Sequence, residues 1–353
     1  MNKSPLVFII ISASLFGIST PLAKILVKDI SPVALAGFLY LGAFAGLSLY
    51  SAVIKTESDK KAVSLERKDF PWLAGAILTG GIIGPISMMM GLRLVSGFSA
   101  SLLLNLEGVA TAIIAVFFFK ENAGKRLWLA LICMIIAGIF LTWDPTQGRF
   151  NIVGPLFIIF AMVCWGIDNN LTRSISDKDP VQISKIKGFV AGTISLSLAL
   201  FLGIRISLDF TIAFALLLGS FSYGISLVFF IKALEGLGSS RTGAFFSFAP
   251  FIGAIASLII LREWIGWVMF PAAGLMLIGV WLICSEKHLH THLHKTVIHT
   301  HSHNHRDMHH LHKHSGTFHE PHTHEHTHLE ISHIHVHWPD THHRHEHKTC
   351  KGD

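Results

Sequence analysis

The chain has 353 residues, of which 51% are hydrophobic and only 14% charged, with a formal net charge of +6. A soluble globule would carry about a quarter charged residues, so this balance excludes a freely soluble body. The cations are spread over short polar stretches rather than gathered in one patch, which argues against nucleic acid as a partner.

All 24 histidines fall between His288 and His347, so the chain divides into a histidine-free body and a low-complexity tail. Mean hydropathy is +0.54 with that polar tail included. Segments of roughly 17 or more apolar residues recur in the body, each long enough to cross about 30 Å of hydrocarbon. In chain order they predict ten spans at roughly 5–27, 33–54, 70–92, 97–119, 127–143, 152–172, 183–204, 211–232, 242–261 and 266–284. The first, with Lys3 before an apolar run containing Ser12-Ala13-Ser14, could be taken for a signal peptide. Its recurrence later in the chain argues for a helix instead.

That recurrence runs from Leu15-Phe16-Gly17-Ile18-Ser19-Thr20-Pro21-Leu22-Ala23-Lys24 to Cys164-Trp165-Gly166-Ile167-Asp168-Asn169-Asn170-Leu171-Thr172-Arg173, a shift of 149. Farther on, Lys120-Glu121 stands over Arg262-Glu263 at a shift of 142. Two five-helix repeats follow, and because five is odd the second is inverted relative to the first, as in many secondary transporters. The expected division is 1–144, 145–287 and a tail from 288 to 353.

Fifteen Lys and Arg fall in one set of connections before the tail: Lys3, Lys55, Lys60, Lys61, Arg67, Lys68, Lys120, Lys125, Arg126, Arg173, Lys178, Lys185, Lys187, Lys232 and Arg241. Six fall in the other: Lys24, Lys28, Arg93, Arg149, Arg205 and Arg262. The positive-inside rule then expects both termini in the cytoplasm of a plasma-membrane protein. Trp72, Trp128, Trp143, Trp264, Trp267 and Trp281 lie near span ends, as an aromatic belt requires.

The stretch Leu103-Leu104-Asn105-Leu106-Glu107-Gly108-Val109 through Lys120-Glu121, with its counterpart Phe248-Ala249-Pro250 through Arg262-Glu263, resembles the EamA family of the drug/metabolite transporter superfamily. The usual proline is present as Pro250 and replaced by Gly108 in the first half. The resemblance covers residues 5–284. It implies an all-α polytopic fold and transport, and it says almost nothing about substrate, since that superfamily handles amino acids, metabolites, drugs and sugar derivatives.

Glu107 falls near the middle of the fourth span, where an ionised carboxylate costs several kcal/mol unless it finds a partner, water or a proton. It is a candidate for substrate or proton binding; the alternative is a protonated structural Glu. On a continuous helix Asn105 lies about 200° from Glu107, on a face with Ser101, Gly108 and Ala112, which suits packing. The sixth span sets Trp165, Asp168, Asn169 and Thr172 on one polar face. The matching face of the first span is Phe16, Ser19, Thr20 and Ala23, and the two faces are expected to line a central cavity. Asp168 is open to a second reading, in which it snorkels to the interface or pairs with Arg173. Pro21, Gly84-Pro85, Pro250 and Pro271 free carbonyls in or near spans.

No GxxxxGK[ST] loop occurs, and a body without histidine has no HExxH or Ser-His-Asp site, so an enzyme reading has no support. Cys133, Cys164 and Cys284 sit singly in apolar segments, and Cys350 ends the tail. None forms a CxxC pair, and packing is the expected role.

The tail alternates His with other residues: His288, His290, His292 and His294, then His299, His301, His303 and His305, then His322, His324, His326 and His328, then His333, His335 and His337. Imidazole ligates zinc, nickel, cobalt and copper, so these residues are metal candidates. The composition, rich in His, Thr, Glu and Lys without an apolar face, predicts disorder. A solvating tail or a pH-dependent charge switch are the competing readings. The sequence thus points to a secondary transporter that exports a small metabolite, amino acid or metal species and requires no cofactor. Its partners would be the lipid bilayer and its substrate, and a homodimer is a further expectation. The other reading is a membrane-anchored store or sensor of transition metals.

Overall fold

The computed structural model describes residues 4–53, 65–119, 125–144, 149–150, 152–176, 178–206, 209–264, 266–285, 288–294, 297–303, 322–328 and 331–337. The body is helical, as its uninterrupted apolar runs require: in hydrocarbon every backbone amide must bond within its own segment. It opens with α1 (Ser4–Leu26) and α2 (Pro32–Val53). The third stretch joins α3 (Phe70–Ala76) to α4 (Gly84–Leu94) through a π-helical turn at Ile77–Ile83. Next come α5 (Gly97–Leu103), α6 (Leu106–Phe119), α7 (Lys125–Leu141), α8 (Val153–Arg173) and α9 (Pro180–Phe201). A second π-helical turn, Ser220–Ile225, joins α10 (Phe210–Gly219) to α11 (Ser226–Leu237). Finally α12 (Ser239–Phe246), α13 (Ala249–Leu261) and α14 (Met269–Cys284) close the body. A short ladder, β1 (Trp143–Asp144) with β2 (Arg149–Phe150), is the strand pair of the body.

Eight stretches among the described residues are long and apolar enough to cross a membrane. The shorter α7 and α14 have 17 and 16 residues. Large apolar side chains cover the outside, with Phe201 88% and Phe210 87% exposed, which only a hydrocarbon surround makes favourable. The protein is therefore a polytopic membrane protein.

With lipid outside, helices are held by close packing rather than by hydrophobic burial from water, and small residues let backbones meet. A Cβ on Gly42 would overlap the Leu216 carbonyl, and one on Gly219 the Leu39 carbonyl, so α2 and α10 touch backbone to backbone. Ser12 and Ser226 lock α1 to α11 by donating each to the other's carbonyl, at 2.8 and 3.1 Å. A continuous apolar cluster joins Ala23, Leu35, Met89, Leu103, Met134, Ile158, Ala254 and Met276, so the first and second halves of the body share one core.

Two stretches are interrupted midway. The α5–α6 run breaks at Leu104–Asn105, and the α12–α13 run at Ser247–Phe248. At each break a polar side chain bonds the carbonyl three residues back: Asn105 Nδ2 to Leu102 O at 3.1 Å, and Ser247 Oγ to Ala244 O at 2.7 Å.

The tail is described in four short segments. Its described residues are extended, in β3 (His288–His294), β4 (Val297–His303), β5 (His322–His328) and β6 (Ile331–His337). β3 pairs antiparallel with β6 and β4 with β5, in a register that puts His288 opposite His337, His290 opposite His335 and His301 opposite His324. The physical reason lies in the same alternation that marks out the histidines. Period two is the period of a strand, and Thr, Ile and Val interleave it. His305 lies outside the described residues, as do Lys120-Glu121.

Candidate functional site

A cavity of about 210 Å³ lies where the two interrupted stretches meet. Leu104, Asn105, Glu107 and Gly108 line it from one break, and Gly243, Phe246, Ser247 and Pro250 from the other. Phe16, Met134, Val280 and Ile283 complete the wall. Asn105 and Glu107 thus face one space, against the expectation that they point opposite ways. That expectation assumed an unbroken helix, and the turn at Leu104–Asn105 cancels the rotation between them.

Glu107 is the charged residue of this lining. Its Oε1 accepts a hydrogen bond of 2.8 Å from Asn169 Nδ2, which also reaches Thr111 Oγ1 at 3.1 Å, tying α8 to α6. Two sequence candidates are therefore brought together. Asn169 is exposed and lies outside the cavity lining, so the cavity reaches this pair through Glu107.

The other polar residues of α8 turn elsewhere. Asp168 is 6% exposed and forms an ion pair with Lys187 of α9, while Thr172 Oγ1 donates to its Oδ1 at 3.0 Å. The alternative reading of Asp168 paired it with Arg173; the ion pair is made with Lys187. Trp165 Nε1 donates to the Gly80 carbonyl at 3.1 Å, and Tyr40 Oη donates to the same oxygen at 2.6 Å. Gly80 lies in the π-helical turn, where the widened helix leaves carbonyls for outside donors. A Cβ there would collide with the Asp168 carboxylate. Asp168 and Lys187 also lie within electrostatic range of Glu107, so the accessible and the buried polar groups form one neighbourhood.

Ser19 and Thr20 are packed rather than set on the cavity wall, 2% and 4% exposed. Ser19 Oγ donates to Phe16 O at 2.6 Å. On this face Phe16 is the residue that reaches the cavity, and its ring stands edge-on to Tyr223 at 5.9 Å. Tyr223 in turn stacks with Tyr40 at 6.2 Å.

Sequence reasoning missed Lys187, Tyr40 and Tyr223. Lys187 stands in an apolar helix, which is signal enough, but the loop-charge count absorbs it among the orienting cations. Tyrosine is scarce, with three in the chain, and two of them meet here.

The model of the EamA-like transporter family matches this chain over residues 3–143 and again over 152–285. An uncharacterized transporter of Methanothermobacter thermautotrophicus is 28% identical over 295 residues, spanning 78% of this chain and 84% of that protein. The uncharacterized transporter YyaM of Bacillus subtilis is 25% identical over 260 residues, 69% of this chain and 82% of its own length. A solved crystal structure of a protein shares the fold at 13% identity and a TM-score of 0.58, covering 80% of this chain and 97% of that one. With interrupted helices meeting at an acidic cavity and the family pattern matched twice along the body, this chain belongs to the EamA-like transporter family.

Proposed function

We propose that the protein is a secondary transporter that exports a small metabolite, an amino acid or a metal species by alternating access. The observation that carries this reading is the meeting of two midway helix breaks around a cavity holding Glu107. Interrupted helices at the interface of two repeats are how many secondary transporters build a site inside the membrane. The repeat reading, with halves at 1–144 and 145–287, is supported by the breaks at Leu104 and Ser247 and the π-helical turns starting at Ile77 and Ser220, each pair 143 residues apart. Ten spans follow when α7 and α14 are counted with the eight longer stretches. Both termini are placed in the cytoplasm, and the plasma membrane is the expected home.

At about 210 Å³ the cavity is smaller than drug-sized sites, which run from roughly 300 Å³ upward, so a small cargo fits. A carboxylate beside Phe16 and Phe246 favours a cargo with an ammonium or other positive group, or a proton carried on Glu107 itself. Flux through the purified protein in liposomes, against a panel of amino acids, amines and divalent metals at several pH gradients, is the test. Glu107→Gln is the control that must lose the pH-dependent part.

The tail supports a second role. Alternating histidines on paired strands would take zinc, nickel, cobalt or copper, buffering or sensing the ion on the cytoplasmic side. If metal storage were the whole function, deleting residues 288–353 would remove the phenotype; a transporter keeps its flux. A homodimer is compatible with either reading.

A further inference from the structure

One end of the body is sealed by two charged side chains that belong to opposite halves of the chain. Glu263, just past α13, accepts from the backbone N–H of Gly97 at 2.6 Å and of Phe98 at 2.9 Å, the first amides of α5. Lys24, near the end of α1, donates from Nζ to Leu92 O at 2.6 Å and Val95 O at 2.5 Å, the last carbonyls of α4. Each charge thus satisfies the helix end that suits it: a carboxylate on free amides, an ammonium on free carbonyls.

The seam is close. A Cβ on Gly97 would lie 2.7 Å from Leu261 Cδ1 and 2.8 Å from Ser257 Oγ, so α5 starts directly against α13. Glu263 reaches back because Arg262 adopts a left-handed conformation, φ 51°, the one positive-φ residue other than glycine among those described. Such backbone is sterically strained for a residue with a side chain and persists where the surroundings hold it. Here its effect is to swing Glu263 onto α5.

Past the two breaks the same helices stand apart. A Cβ on Gly108 or on Gly243 would meet nothing within 4 Å, and both glycines are exposed. The body is therefore closed at the Glu263 end and open toward the cavity at the other.

We propose that Glu263 is the latch of that closed end: its two hydrogen bonds to α5 hold one face of the transporter shut, and their release lets α13 part from the α4–α5 corner. This rests on the alternating-access reading above. The latch is a positioning residue, which acts on the helices and not on cargo. With the N-terminus inside, the latched end is the outer face.

The test measures the seam and needs no substrate, so it can fail while transport stands, and transport can fail while it holds. In the full-length protein in lipid nanodiscs, with Cys133, Cys164, Cys284 and Cys350 replaced by serine, spin labels at Arg93→Cys and Trp264→Cys span the seam from exposed positions. Labels at Trp128→Cys and Trp281→Cys, on α7 and α14, are the control pair. The wild-type background should give a dominant short distance across the seam. Glu263→Ala should add a longer component, populated at least several-fold above wild type, while the control pair stays unchanged. Glu263→Gln, which keeps one neutral acceptor oxygen, should lie between them and decides the matter if the alanine variant does not insert. Unchanged seam distances in the variants overturn the latch. So does equal broadening at both pairs, which marks general loosening.

Discussion

Asn169 donates to Glu107 Oε1 at 2.8 Å and so joins α8 to α6. Its chain neighbour Asp168 points the other way, to Lys187, so consecutive residues of one helix serve an open and a buried polar site.

The Glu107–Asn169 bond can survive a change that removes the proton. In Glu107→Gln the amide oxygen still accepts from Asn169, so insertion and thermal stability should stay close to wild type. Flux that depends on a pH gradient should be lost. An unchanged pH profile in liposomes would return Glu107 to a packing role.

The Asp168–Lys187 pair should behave as a unit. Breaking a buried pair by removing one partner costs about 3–5 kcal/mol, because the other charge is left stranded. Asp168→Asn should therefore destabilise strongly, and adding Lys187→Met should recover part of the loss. Thermal unfolding of the two single variants and the double variant closes the cycle. Additive losses would mean that the two side chains do not depend on each other.

Two glycines should respond oppositely to alanine. At Gly80 the added methyl group collides with the Asp168 carboxylate, so Gly80→Ala should lower the unfolding temperature and disturb transport. At Gly108 the methyl group meets nothing, and alanine is the better helix former by about 1 kcal/mol, so Gly108→Ala should hold or raise stability. The comparison is read by thermal shift in detergent.

Acid should weaken the entry to α3. Lys68, hydrogen-bonded to the Glu66 carboxylate, and Lys178 behind it hold Glu66 below the ordinary carboxylate range. Buried Lys178 also lies 3.6 Å from Asp69 Oδ2. A lowered folded-state value means the contribution of Glu66 is present above the unfolded value and is lost as pH falls through the folded one. The wild type should thus be the more stable at neutral pH, and its margin over Glu66→Gln should shrink as pH falls below the ordinary carboxylate range, as followed by unfolding temperature against pH.

The tail should bind divalent transition metals through neutral imidazoles and release them below about pH 6, where protons compete. Calorimetry of the full-length protein against the 288–353 deletion separates this binding from the body. Equal nickel and zinc uptake by both proteins at pH 7.5 would exclude the tail as the metal site.

Composition and apolar run length were enough to read the helical body, because a membrane helix declares itself by length alone; the family resemblance lay in the stretches around Glu107 and Pro250. Glu107, Asp168 and Asn169 were legible because polar residues in apolar runs are expensive and therefore conspicuous. Their partners were harder. Which cation meets Asp168 depends on how α8 and α9 cross, and no local pattern encodes that. The break at Leu104–Asn105 was hidden for another reason: leucine and asparagine do not by themselves stop a helix, and only the structure shows the turn that brings Asn105 and Glu107 to one cavity. The tail's pairing was implicit in its period of two, which composition alone conceals.

The same break bears on the electrostatics of the carboxylate beside it. Glu107 stands in the first turn of α6, a helix that begins inside the membrane rather than at its surface. A helix start presents unpaired amides equivalent to roughly half a positive charge, an effect that fades within one turn. An unbroken fourth span would have placed Glu107 where aligned peptide dipoles cancel, with no such field to meet its charge. By opening the helix two residues before the acid, the chain supplies a counter-field from its own backbone at a cavity whose described lining holds no cation.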